Sequence, residues 1–168
     1  QVVIIGAGTV AEYAARTALG LGASIKVFDN HIYKLRRLKQ LLGQQIYTST
    51  IDNFSLNQAL SEADVVIGAL REEKGRNKIV VSEEMIANMM HGSIVIDVSI
   101  DQGGCIETSK MTTHQDPVYL VHDIIHYCVP NIASRVARTA SYSLSNIFTP
   151  IILQMAELQG AEEMIFNY

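Results

Sequence analysis

The chain has no excess of basic residues. Its 13 Lys+Arg face 17 Asp+Glu, for a formal net charge of −4. Clustered cations are what grip a phosphate backbone, so non-specific nucleic-acid binding is not expected. Cysteine is scarce: two among 168 residues are too few for a disulfide scaffold. Both thiols are expected to be reduced, in a cytoplasmic protein. No apolar run reaches the roughly 18 residues of a membrane span, so no membrane partner is expected. No signal peptide, internal repeat or low-complexity tract is visible. The first residue is Gln1, not Met, and it lies inside a strand-like run. The chain therefore reads as a piece of a longer protein. What remains is globular in composition, 48% apolar and 18% charged. The length suits one domain, or one domain with a fragment of another.

Short apolar runs alternate with helical stretches. Strands are expected over 1–5, 24–28, 45–49, 63–69, 93–98 and 123–129. Helices are expected over 9–21, 31–42 and 55–61, and again in a segment capped by Ser82. Residues 99–117 read as an irregular loop. From Asn131 the pattern is helical to the end, interrupted by Pro150. The runs are continuously apolar, the signature of a parallel sheet buried on both faces. Strands alternating with helices predict an α/β, doubly wound Rossmann fold with helices on both faces. Ligands of such folds sit beyond the carboxyl ends of the strands, at the topological switch point.

After the first strand comes Gly6-Ala7-Gly8-Thr9-Val10-Ala11, a G-x-G-x-x-A form of the dinucleotide fingerprint. Gly6 suits a tight turn. Gly8 lets a pyrophosphate approach the backbone. Thr9 and Val10 open the helix whose free N–H groups face the phosphates. Asp29 ends the second strand at the interval expected of a ribose ligand. A carboxylate there accepts hydrogen bonds from ribose hydroxyls and repels a 2′-phosphate, which favours NAD. Lys34 and Arg36 lie nearby and can soften that preference. Two bland alternatives stay open: a tight turn without ligand, and Asp29 as a helix N-cap.

Several stretches resemble the NAD-binding domain of the alanine dehydrogenase and pyridine nucleotide transhydrogenase family. They are 3–8, 26–38, 63–69, 94–104 and 126–131, followed by Arg138-Thr139. The most specific is Asp97-Val98-Ser99-Ile100-Asp101-Gln102-Gly103-Gly104, which looks like the alanine dehydrogenase branch. The resemblance implies reversible oxidative deamination of L-alanine to pyruvate and ammonium, with hydride transfer to NAD. It implies Asp101 as this domain's catalytic carboxylate. It implies an amino-acid or 2-oxo-acid substrate, a substrate domain mostly absent from this chain, and a homo-oligomer. The family's substrate-binding Arg and Lys and its catalytic His belong to that absent part. On the same reading, residues 1–138 form the nucleotide domain and 139–168 a helix returning to the substrate domain. Ala69 and Leu70, past the fourth strand, are expected near the ribose or adenine, and Ile100 against the nicotinamide. Val129, Asn131 and Ile132 occupy the turn that holds the nicotinamide end in the family.

The chain departs from the family's pattern in two places. Pro130-Asn131-Ile132-Ala133 stands where Ala-Asn-Met-Pro is common, and Arg71-Glu72-Glu73-Lys74-Gly75 replaces an apolar loop. Both bear on the substrate more than on the cofactor. A transhydrogenase NAD(H)-binding part, a related amino-acid dehydrogenase and a non-catalytic NAD-sensing module remain alternatives. Among His114, His122 and His126 the last two are four apart, but His126 falls in an expected strand, so one helical face is not available and no metal site is expected. Asp97, Cys105 and Cys128 are expected to be structural.

Overall fold

Four successive β-branched residues make β1 (Val2–Ile5), and all four are buried. The computed structural model describes residues 1–72, 75 and 77–157. The chain continues through α1 (Thr9–Gly20), β2 (Ile25–Phe28), α2 (Ile32–Leu42), β3 (Tyr47–Ser49) and α3 (Asn53–Ser61). Then come β4 (Val65–Gly68), α4 (Glu83–Ala87) and β5 (Ile94–Asp97). A 3-10 turn over Val98–Gln102 and a loop lead to β6 (Val118–Val121) and β7 (Ile124–Tyr127). Among the described residues these strands form one sheet in the order β3-β2-β1-β4-β5-β7-β6. Every pairing is parallel except that of β6 with β7. This is the doubly wound α/β architecture expected from the sequence.

Alternate side chains of β1 feed two cores. Val3 and Ile5 pack with Leu56 and Leu60 of α3 and with Met85 and Ile86 of α4. Val2 and Ile4 pack with Ala11 and Ala15 of α1 and with Leu35 and Leu38 of α2. Alanines on α1 let that helix sit close to the sheet. The helix boundaries follow from local chemistry. Asp52 accepts the Ser55 amide at the start of α3. Ser82 accepts the Met85 amide at the start of α4, as expected. Gly43 ends α2 in the left-handed conformation.

Two features depart from the sequence reading. The strand expected over 93–98 stops at Asp97, because the Asp97 side chain accepts the Ser99 amide and turns the chain into a 3-10 helix. The strand β6 has no counterpart in that reading. It joins β7 through a two-residue turn, His122-Asp123, with both residues at positive φ (53° and 61°). Such turns are usually signalled by Asn-Gly or Asp-Gly, and His-Asp carries no such signal.

The chain divides into two compact units after Pro130, ahead of the boundary expected at Arg138. In the second, a 3-10 turn over Ile132–Val136 precedes α5 (Ala137–Glu157). The helix runs through Pro150 without ending there, although proline removes one backbone donor and crowds the preceding turn. Tyr142, Leu144, Ile147, Phe148, Ile152 and Leu153 on α5 are exposed. The part of the expected return helix over 158–168 lies outside the described residues. Among the described residues no helix is long and apolar enough to cross a membrane.

Candidate functional site

The strand order reverses between the parallel neighbours β1 and β4, and the residues just past these two strands meet there. The Gly6 amide donates to the Phe28 carbonyl at 2.7 Å, and the Ala69 amide to the Ile5 carbonyl at 2.7 Å. Gly6 has φ +108°, and a Cβ on it would lie 2.4 Å from the Ala69 carbonyl oxygen. No side chain fits between these two backbones. Gly8 is different. Its φ is −85°, it holds the N-cap position of α1 with no side-chain cap bond, and among the described residues nothing lies within 4 Å of where its Cβ would be. The space above Gly8 is open, and the uncapped N–H groups of α1's first turn border it.

Asp29 is 2% exposed. Its Oδ2 accepts the Ala7 amide at 2.8 Å, which ties β2 to the glycine loop. Its Oδ1 accepts the His31 amide at 2.7 Å and lies 3.0 Å from His31 Nδ1. The N-cap position of α2 is His31, not Asp29, which removes the capping alternative. A carboxylate has about four acceptor sites, so three protein contacts leave room for a ligand hydroxyl.

Three adjoining cavities of about 310, 90 and 430 Å³ share Ala69 and Arg71 and form one crevice along the switch point. Gly8, Asp29, His31, Lys34 and Lys78 line the end beside Asp29. Thr9 and Val10 line the middle. Val98, Ser99, Asp101 and Gln102 line the other end. Of the residues expected from sequence, the structure thus brings Gly8, Thr9, Val10, Asp29, Lys34, Ala69, Leu70 and Asp101 to one crevice, with Gly6 forming the turn beneath. It does not bring Ile100 or Val129 to the wall: both are buried, at 5% and 2% exposure. Asn131 and Ile132 belong to the second unit, where Asn131 takes a left-handed conformation (φ 50°).

Sequence reasoning missed His31, Lys78 and Asn77, and gave Arg71 and Glu72 only as part of an altered loop. Arg71 and Glu72 were findable, since they follow β4 directly. Asn77 had no signal. Its Nδ2 donates to the Leu70 carbonyl at 3.0 Å, and its Oδ1 accepts the Glu72 amide at 2.9 Å. Its own amide donates to the Gln102 carbonyl at 3.0 Å. It ties the loop after β4 to the turn that carries Asp101. Glu73 and Lys74 of the altered loop lie outside the described residues.

Below the crevice, Asp97 is 1% exposed. Oδ1 accepts the Ser99 amide and hydroxyl, and Oδ2 accepts the Cys105 amide and the Ser109 hydroxyl. This carboxylate organises the whole turn, a structural role. Burial, reinforced by Asp97, pushes the Cys105 thiol up to about 12, so it is an inert space-filler. Cys128 is also fully buried. His126 is buried in β7, with Nδ1 on the Ile124 carbonyl and Nε2 on the Thr108 hydroxyl. Among the described residues no three His, Cys, Asp or Glu side chains converge as metal ligands.

The family profile for the alanine dehydrogenase/PNT C-terminal domain matches residues 1–167. The chain belongs to that family. It is 41% identical over 157 residues to the alanine dehydrogenase of Mycolicibacterium smegmatis, covering 94% of this chain and 42% of that protein. It is 42% identical over 159 residues to the alanine dehydrogenase of Halomonas elongata, with the same coverage. Among solved structures, an L-alanine dehydrogenase superposes with TM-score 0.88 at 37% identity, over 93% of this chain and 43% of that one. A transhydrogenase from Sinorhizobium meliloti gives 0.80 at 25% identity, over 94% and 45%. This C-terminal domain therefore spans less than half the length of the curated relatives it matches.

Proposed function

We propose that this domain holds NAD(H) for an alanine-dehydrogenase-like oxidoreductase whose remaining residues supply the substrate side. The observation that supports it is the crevice itself, with the open backbone at Gly8 and the buried Asp29 facing one space. These residues fit a dinucleotide. The open position at Gly8 and the uncapped first turn of α1 suit a pyrophosphate. Asp29, with acceptor capacity left, suits the adenosine ribose, and Val10, Ala69 and Leu70 give apolar walls. When bound, the nicotinamide supplies hydride acceptance from the α-carbon of L-alanine, leading to pyruvate and ammonium.

This chain's own residues orient the reaction. Asp101, on the turn after β5, faces the crevice mouth. Its carboxylate is placed to stabilise positive charge on the reacting nitrogen or to relay a proton as water adds. Asn77 and Asp97 fix the turn that carries it. The exposed apolar side chains of α5 support its reading as the link to the substrate domain. The whole protein is proposed to be a cytoplasmic homo-oligomer.

The test is a fluorescence titration of the protein with NADH and NADPH side by side, repeated with Asp29→Ala. Saturable NADH binding that exceeds NADPH binding, with the preference lost in the variant, is the expected result. Equal affinity for both nucleotides, unchanged by the substitution, would refute the ribose role. Absence of binding would favour a non-catalytic or structural reading.

A further inference from the structure

The ribose end of the crevice holds a titratable side chain that the dinucleotide reading does not use. His31 Nδ1 lies 3.0 Å from Asp29 Oδ1, and the ring is 47% exposed while the Asp29 side chain is 3% exposed. A carboxylate only accepts, so Nδ1 carries the hydrogen and Nε2 is the nitrogen open to protonation. The hydrogen bond therefore survives protonation, and only the charge changes. From α2, Lys34 lines the same cavity and Tyr33 meets the His31 ring edge-on at 5.6 Å. From the segment after β4 come Arg71, Glu72 and Lys78.

We propose that His31 sets dinucleotide choice at this site: neutral, it leaves Asp29 a net anion that takes ribose hydroxyls and repels a 2′-phosphate; protonated, it cancels that charge and admits the phosphate. The inference rests on the dinucleotide reading above. With Asp29 neutralised as an ion pair, Lys34, Arg71 and Lys78 are the groups that hold a 2′-phosphate by charge-assisted hydrogen bonds. The site is thus an NAD site at alkaline pH that gains tolerance for the phosphorylated cofactor on acidification.

Calorimetric titration of the full chain with oxidised NAD and NADP at pH 8.0 and 5.5 tests this, on the wild type, His31→Gln and His31→Arg. The 2′-phosphate's own titration near pH 6 acts alike in all three and cancels between them. On acidification the NADP-to-NAD affinity ratio is expected to rise about tenfold more in the wild type than in His31→Gln. His31→Arg, permanently charged, should show the raised ratio at both pH values. Thermal melts establish that both variants are folded. Parallel pH dependence in wild type and His31→Gln, with NAD still bound, overturns the role of His31 alone. If the wild type binds neither dinucleotide at either pH, the dinucleotide reading falls and the inference falls with it.

Discussion

Replacing Gly6 and Gly8 by alanine, one at a time, separates what the fold needs from what the ligand needs. Gly6 sits at φ +108°, where a non-glycine residue costs about 1–3 kcal/mol. Its new methyl would meet the Ala69 carbonyl oxygen at 2.4 Å and the Leu70 amide nitrogen at 3.0 Å. Backbone atoms cannot rotate away, so β1 and β4 must separate, adding about 1–3 kcal/mol of overpacking. Gly6→Ala should therefore lose about 2–6 kcal/mol, a fall in Tm of roughly 6–18 °C for a chain of this size. Gly8 has ordinary φ and open space. Alanine there gains about 0.4–1 kcal/mol by restricting the unfolded chain and loses a similar amount, about 0.5–1 kcal/mol, as a poorer N-cap. Its stability should stay within about 0.5 kcal/mol of the wild type. The methyl would intrude where the pyrophosphate approaches, so NADH affinity should fall at least about tenfold. Thermal melts and NADH titrations of both variants give the answer. A Gly6→Ala protein as stable as the wild type, or a Gly8→Ala protein that binds NADH as tightly, would refute the reasoning.

Other outcomes follow from the same geometry. Asp101→Asn in the full-length protein should lower kcat with L-alanine at least about 100-fold while NADH still binds; unchanged turnover would remove Asp101 from the chemistry. Asp97→Asn keeps the volume but aims amide hydrogens at the Cys105 amide and Ser109 hydroxyl or at the Ser99 donors. It should cost about 2–4 kcal/mol in urea unfolding, and a loss below about 0.5 kcal/mol would contradict the assigned network. Desolvation holds the buried His126 below the ordinary histidine range. The unfolded chain then binds a proton that the folded one refuses, so stability should fall as pH drops below about 6.5, by up to about 1.4 kcal/mol per pH unit, levelling off below the folded value. Comparing urea midpoints at pH 7.5 and 5.5 with those of His126→Gln checks this; an identical pH slope in the variant would assign the effect elsewhere.

The alternation of apolar runs with helices, the glycine fingerprint and the acidic end of β2 were all visible in the residues, because each depends on local periodicity or a short spacing. They predicted the doubly wound sheet and five of the residues lining its crevice, Gly8, Thr9, Val10, Asp29 and Lys34, while the family resemblance supplied Ala69, Leu70 and Asp101. The I-D-Q-G-G stretch was equally legible and carried the family. What the residues could not show depended on contacts made across the chain. The fingerprint gave Gly6 to the turn and Gly8 to the phosphate side, but not that the Ala69 carbonyl oxygen is what bars a side chain at Gly6. Asp97 was expected to be structural and Asp101 to face the site, but the partners that make them so were not visible. The packing of the loop over 98–109 makes the first the hub of four hydrogen bonds and leaves the second at the crevice mouth. His122-Asp123 turned a hairpin that no turn signal announced, because pairing with β7 outweighed the local preference. His31 reads as one more polar residue at a helix start. Only the fold of β2 into α2 sets its ring against the buried carboxylate of Asp29. The sequence alone determined the architecture and pointed to the proposed ligand class, through spacing along the chain. The tertiary structure decided which residues line the crevice and which hold the scaffold, since that choice is made by backbone approach and burial between segments far apart in sequence.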